Sequence, residues 1–324
     1  MNRGYIFIFL ATVFFSSMEV ALKTVAHDFN PMQLNCTRFL VGGLLLIPFA
    51  LRGLRQHGAR VTAAAWKGFA WLGFVGLVVS MMFYQMSILY APASVVSVLF
   101  SCNPVLVLAF AYLILRADIR PQHITALVME VAAALIIIDP LHTTLDPVGI
   151  TLVLLSAATF ALYAVLGKKQ CTQYSGVAVT CFSCLAASAE MIVLMLISHI
   201  PAVADALQAA GLPMFAAMPF FSGYTTGNLL NVLYICVFVT AGGYACYFMG
   251  MEATSAMQGS LVFFFKPALA PVLALVFLQE AIPVSMVVGV LFILAGSLVS
   301  LIPALSMIPA MALGKVWCWK QGRA

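Results

Sequence analysis

Charge is what this chain has least of. Asp, Glu, Lys and Arg make up 8% of its 324 residues, against about 25% in soluble domains. Hydrophobic residues make up 64% and the mean hydropathy is +1.10, so a soluble globular protein is excluded and an integral membrane protein is expected. The net charge of +5 comes from basic residues that fall mostly in loops on one side of the apolar stretches, and no nucleic-acid partner is expected. Histidine is scarce too: His27, His57, His123, His142 and His199 all fall at helix ends or in loops. Neither H-E-x-x-H nor G-x-S-x-G occurs, which argues against a hydrolase and leaves no catalytic residue to name. The absence of G-x-x-x-x-G-K-[ST] excludes ATP hydrolysis by this chain. Eight cysteines are scattered, and Cys181-x-x-Cys184 has no second pair to complete a metal site, so no metal or cofactor is expected.

What is abundant is apolar sequence in lengths that match a bilayer. About 20 such residues cross the hydrocarbon as a helix. Ten stretches qualify, near 4–25, 35–51, 68–89, 94–115, 122–139, 148–167, 177–198, 229–251, 257–278 and 284–304. The first is too long for a cleaved signal, carries Glu19 and Lys23, and reads as a retained helix. Counting loops from a cytoplasmic N-terminus puts Arg3, Arg52, Arg55, Arg60, Lys67, Arg116, Arg120, Lys168, Lys169, Lys315, Lys320 and Arg323 on one side. Asp28, Asp139, Asp146, Asp205 and Glu280 fall on the other, with Lys23 and Arg38 at helix ends. This is the positive-inside pattern, so both termini are predicted to be cytoplasmic. Membrane lipid is the expected surroundings.

The apolar stretches repeat. Residues 83–140 match 246–303 at an offset of 163, which lays Tyr84 on Tyr247, Met86 on Met249, Ala93 on Ala256, Ser97 on Ser260, Pro104 on Pro267 and Pro140 on Pro303. A fainter offset of 145 lays Phe15 on Phe160 and Lys23 on Lys168. The fold class predicted is an all-α membrane protein of ten transmembrane helices in two five-helix repeats, 1–140 and 146–304, with an interfacial cytoplasmic tail at 305–324. Five spans per unit is odd, so the second unit must enter from the opposite side and run inverted, an arrangement common among secondary transporters. The units divide at Asp139-Pro140…Asp146-Pro147, where a helix cannot continue. The external connection 199–228 is long, and its stretch Ala202–Ala210 before Gly211 predicts a short helix that either covers the opening or rests on the membrane surface.

These residues carry a resemblance. Tyr84…Ala91-Pro92-Ala93…Asn103-Pro104-Val105 and Tyr247…Thr254-Ser255-Ala256…Lys266-Pro267-Ala268, with Gln279-Glu280-Ala281-Ile282 and Gly289…Ala295-Gly296, resemble the EamA-like ten-helix bacterial members of the drug/metabolite transporter superfamily, from Gly4 to Pro303. The resemblance implies a transporter of a small organic metabolite in the bacterial cytoplasmic membrane, usually an exporter, with the cargo left open. It also implies a cavity lined by the first, third, fourth, sixth, eighth and ninth helices. That would bring Tyr84, Tyr163, Tyr247, Ser97, Ser260, Asn103 and Lys266 toward a substrate. The fifth and tenth helices would be peripheral.

Read for themselves, the residues point the same way. Proline within a helix frees the carbonyl four residues earlier, here Phe100 beneath Pro104 and Phe263 beneath Pro267, and freed backbone is tolerated in a membrane only beside protein or a water-filled cavity. The two prolines are candidate hinges. Lys266, mid-span, carries a charge that costs about 2.5–3.5 kcal/mol at the bilayer centre. Its partner is either a substrate carboxylate or phosphate, or a permanent ion pair with Glu19 or Glu190. Glu19 and Lys23, spaced i, i+4, would neutralise each other or serve in coupling, and Glu190 is a proton-relay candidate. Glu130 shares a face with Ala126, Ala133 and Ala134 suited to close helix packing, within the chain or in a homodimer. An intramembrane lipid-modifying enzyme and a membrane scaffold are the competing classes. A scaffold has no need for inverted hinges, and an enzyme would more often place its titratable groups together at one depth.

Overall fold

The computed structural model describes residues 3–116, 121–138, 145–259 and 261–301. Ser260, Pro140, Pro303, most of the 139–147 division and the 305–324 tail, all singled out above, lie outside the described residues.

Helix ends follow local chemistry. Asn30 accepts a hydrogen bond from the Met32 amide and Pro31 opens the first turn, so α2 runs Pro31–His57 and stops at Gly58 with φ 62°. Asp146 and Ser175 cap α6 (Pro147–Gln170) and α7 (Gly176–Ser198) in the same way. The others are α1 (Arg3–Thr24), α3 (Ala63–Tyr90), α4 (Ala93–Leu115), α5 (Pro121–Ile138), α8 (Leu229–Ala253), α9 (Val262–Leu278, after a single turn at Ala256–Gly259) and α10 (Val284–Leu301). Seven of these are long and apolar enough to cross a membrane, and three shorter apolar helices lie within α5, α9 and α10. No strand occurs among the described residues. Leu44, Phe49, Leu113, Val128, Phe277 and Leu291 are exposed on the outside, an apolar surface suited to lipid.

Packing exchanges partners between the two repeats. α3 and α4 of the first pack on α6 of the second, while α8 and α9 of the second pack on α1 of the first; α2 faces α7, α4 faces α9 and α5 faces α10. Small residues let the facing pairs approach. Cys181 Sγ lies 3.3 Å from the Gly43 carbonyl across α2 and α7. A Cβ on Gly289 or Gly296 would lie 3.1 or 3.3 Å from the carbonyl of Ala133 or Ala126. The small face of α5 is thus spent on α10 within the chain.

Two departures from the sequence reading concern the backbone. Pro104 does not bend a continuous helix: α4 breaks at Ser101–Cys102 and restarts with Pro104 in the first turn, where a missing N–H costs nothing, whereas Pro267 does sit inside α9. The distortions the two repeats share are π-helical stretches, Phe74–Val79 in α3 and Ile235–Tyr244 in α8, which overlap at the longer repeat offset and which no residue pattern announces.

The predicted short helix is present as Pro201–Ala209, ahead of Gly211 at φ 75°. Its connection is tied to the start of α2: Asn30 donates to the Met214 carbonyl at 2.7 Å, Gln33 to the Ser222 carbonyl at 2.7 Å, and Thr37 Oγ1 lies 2.5 Å from Tyr224 Oη.

Candidate functional site

Ten aromatic rings from both repeats converge on the middle of the bundle. Phe15 (α1), Phe100 (α4), Phe160 (α6) and Phe263 (α9) form the centre, with ring centroids 5.4 Å apart for Phe100–Phe160, 5.6 Å for Phe100–Phe263 and 5.7 Å for Phe160–Phe263. Tyr84, Tyr163, Tyr244, Tyr247, Phe248 and Phe39 surround them, all buried. Gly76, in the π stretch of α3, makes room for Tyr163, whose ring occupies the space a Cβ would need there.

Lys266 lies within this cluster and is 0% exposed. Its ammonium pairs with Glu19 Oε1 and lies 3.4 Å from Tyr84 Oη. The Tyr84 hydroxyl donates to the same carboxylate oxygen. The Nζ is 5.5 Å from the Tyr84 ring centroid and 5.0 Å from that of Phe100, so two ring faces share the charge. Of the two partners open to Lys266, the structure occupies it with Glu19. A solvated pocket does not surround the amine: Glu19, Tyr84 and Lys266 are closed from solvent on every side.

Glu19 and Lys23 do not pair. Lys23 reaches the other way, to the carbonyls of Ile88 at 2.5 Å and Ala91 at 3.1 Å at the end of α3, because those carbonyls have no partner within the helix and attract a cation. Lys168 repeats this in the second unit, donating to Met251 at 2.5 Å and Thr254 at 3.1 Å. Met251 and Thr254 are the repeat equivalents of Ile88 and Ala91. Glu280 accepts from the Ala93 and Ser94 amides at 2.9 and 3.0 Å at the start of α4.

The remaining candidates divide. Tyr163, Tyr247, Ser97 and Asn103 are buried, and Tyr247 Oη, Ser97 Oγ and Asn103 Oδ1 have no hydrogen-bond partner among the described residues. Asn103 spends its amide on the Ala157 carbonyl at 2.8 Å. Glu190 is not with them; it sits on the outer side of α7 among Phe74, Ala189, Val193 and Leu194. Glu130 is buried on α5, its carbonyl 3.8 Å from Cys102 Sγ at the break in α4.

One central residue escapes the sequence reading. An apolar run starting at 35 places Arg38 at a helix end; α2 begins earlier, at Pro31, and Arg38 lies two turns inside. Asn30-Pro31 is the available signal, a cap followed by a first-turn proline. The guanidinium is 0% exposed, stacks 4.6 Å from the Phe39 ring centroid, donates from Nε to Asn35 Oδ1 at 2.9 Å and lies 3.8 Å from Met18 Sδ.

A bundle of apolar helices with Glu19, Arg38 and Lys266 buried inside it defines an integral membrane protein. Two stretches, residues 2–139 and 147–302, match the EamA-like transporter family, and the chain belongs to that family. A protein of Clostridium kluyveri called an uncharacterized transporter is 32% identical over 93% of each chain. Another of that description from Archaeoglobus fulgidus is 22% identical over 91% of this chain and 97% of its own. Protein PecM of Dickeya dadantii is 24% identical over 64% of each. A solved crystal structure at 18% identity superimposes with a TM-score of 0.71 over 95% of this chain and all of its own, which supports the fold. The protein is a multi-pass membrane transporter.

Proposed function

We propose that the protein is a secondary transporter, working as an exporter, that moves a small organic metabolite, an amino acid or another anionic or zwitterionic compound, across the bacterial cytoplasmic membrane by alternating access. Ten spans in two inverted units, 1–140 and 146–304, with both termini and the 305–324 tail cytoplasmic, account for the odd helix number per repeat and for the one-sided basic residues. The observation that carries the reading is the Glu19–Lys266 pair. It joins α1 of the first unit to α9 of the second across the junction, and two ions held inside a membrane bundle are costly, a cost that exchange of one of them during function accounts for. Protonation of Glu19, or arrival of an anionic group at Lys266, releases the pair and lets the units part. Tyr84, Tyr247, Tyr163, Ser97 and Asn103 line the path that opens. The π stretches in α3 and α8, with Pro104 and Pro267, supply backbone able to bend.

The test is counterflow in proteoliposomes loaded with amino acids and small organic acids. The expected result is accumulation of one class by the parent protein, abolished by Glu19→Gln and by Lys266→Ala. Equal flux in parent and both variants would sink the role of the pair, and absence of any solute flux would sink the transport reading. Reporter fusions at the two termini check the orientation.

A further inference from the structure

The buried centre holds two cations, Arg38 and Lys266. Lys266 has Glu19. Arg38 has no carboxylate within 4 Å among the described residues. The titratable side chains that feel its charge most are Tyr244, Tyr84, Cys236 and Cys184, none of them an anion in ordinary conditions. Among the described residues its five donors meet one amide oxygen and one thioether, and Nη2 has no partner. A guanidinium cannot shed its charge, and a planar fork with open donors matches a carboxylate in bidentate fashion.

The guanidinium is also held ready. Asn35, which accepts from Nε, donates to the Met81 carbonyl at 3.0 Å, one helical turn before Tyr84, so Arg38 is fixed to the same segment of α3 whose tyrosine touches Glu19 and Lys266. The Phe39 ring blocks one face. Thr240 Oγ1, on the π stretch of α8, is also buried without a partner among the described residues, and α8 at this level lies against α2: a Cβ on Gly42, one turn beyond Arg38, would meet the Thr240 methyl at 3.0 Å.

We infer that Arg38 is the anchor for the substrate, and that the substrate carries a carboxylate which fills the bidentate position of the guanidinium in the occluded state. The inference rests on the transport reading above and sharpens it. Lys266 and Glu19 neutralise each other, Arg38 is left with one positive charge, and a monoanionic carboxylate restores neutrality. The Thr240 hydroxyl is available to the rest of the molecule.

The test uses purified full-length protein and thermal unfolding against amino acids and small monocarboxylates, each paired with its amide, with chloride as a separate arm. A carboxylate that binds the folded form raises the unfolding temperature by mass action. The parent is expected to respond to an acid and to ignore its amide. Arg38→Lys should bind about tenfold to a hundredfold more weakly, and Arg38→Gln should lose the response. Without ligand, Arg38→Met should unfold at a higher temperature than the parent, since it removes an uncompensated charge and keeps the packing. The inference is overturned by a parent indifferent to every acid, by an amide that binds as well as its acid, by Arg38→Gln responding like the parent, or by Arg38→Met unfolding earlier without ligand. Saturation by chloride with no further effect of any acid would assign the site to an inorganic anion and overturn it too. Proteoliposome flux of a neutral solute would then leave transport standing; no flux of any solute would remove transport itself.

Discussion

Where the first unit carries Asn103, the second carries Lys266; where the first carries Glu19, the second carries Ala164 at the shorter offset. Tyr84 and Tyr247 occupy one position of the repeat, yet the Tyr84 hydroxyl is bound to Glu19 while the Tyr247 hydroxyl has no partner among the described residues. Backbone features, in contrast, recur. Lys23 and Lys168 reach matching carbonyls, and π stretches overlap in α3 and α8. Arg116 and Gln279, equivalent in the repeat, both end their helices in the left-handed region at φ 52° and 55°. Duplication kept what bends and terminates helices and let the buried charges diverge. On the proposed alternating-access reading, the shared backbone features serve the motion, and the unequal charges give a bound solute chemically unequal walls.

The sharpest break in the comparison is to make the walls equal. Lys266→Asn leaves Glu19 buried without its cation, and a stranded buried ion costs about 3–5 kcal/mol. Denaturation of the purified protein should show it as the largest loss among single changes in the core. Adding Glu19→Ala, which copies the second unit's alanine, should recover most of that loss while flux remains abolished. A double variant as unstable as the single one would mean that Glu19 is supported by something other than Lys266. Next in size is the tyrosine pair. Tyr84→Phe removes a hydroxyl between Glu19 and Lys266 and should cost about 1.5–3 kcal/mol, the range for hydrogen bonds to charged groups. Tyr247→Phe should cost nothing measurable in the empty protein, because its hydroxyl has no partner to lose. Equal losses at both positions would erase the asymmetry.

Much of this is legible in the order of the amino acids. Two fixed offsets give the repeated units, and a lone lysine in an apolar run names itself as a paired or ligand-bound ion, since nothing else is tolerated there. Glu19 is also visible as a partner. Its direction is not: sequence spacing favours the i, i+4 neighbour Lys23, but free carbonyls at the end of α3 hold that lysine, and only tertiary packing brings Lys266 across from the second unit. Arg38 stays hidden because hydropathy alone sets a span by its apolar stretch, whereas the helix is set by its cap at Asn30. The π stretches are hidden because an extra residue in a turn leaves no mark in composition. The break before Pro104 reads as a bend for a related reason. Proline announces a lost hydrogen bond without saying whether a new helix begins there.

The smaller predictions ask how alike the units are where they do agree. Lys23→Met and Lys168→Met each uncover two or more helix-end carbonyls, and each should lower stability by about 1 kcal/mol in thermal unfolding, with similar values in the two units. A large excess at Lys23 would single out its proximity to Glu280, which caps the next helix in the first unit. Smallest of all are Arg116→Gly and Gln279→Gly. A left-handed residue with a Cβ is strained, and glycine relieves that strain while giving the unfolded chain more freedom, so the net gain should stay within about 1 kcal/mol. The sign should be the same at both positions, because the N–H of Arg116 binds the Ala111 carbonyl and that of Gln279 binds the Ala274 carbonyl, again equivalent positions of the repeat. Opposite signs would mean that the side chains, one a cation and the other an amide, contribute more than the backbone they terminate, and that the likeness of the units stops short of their helix ends.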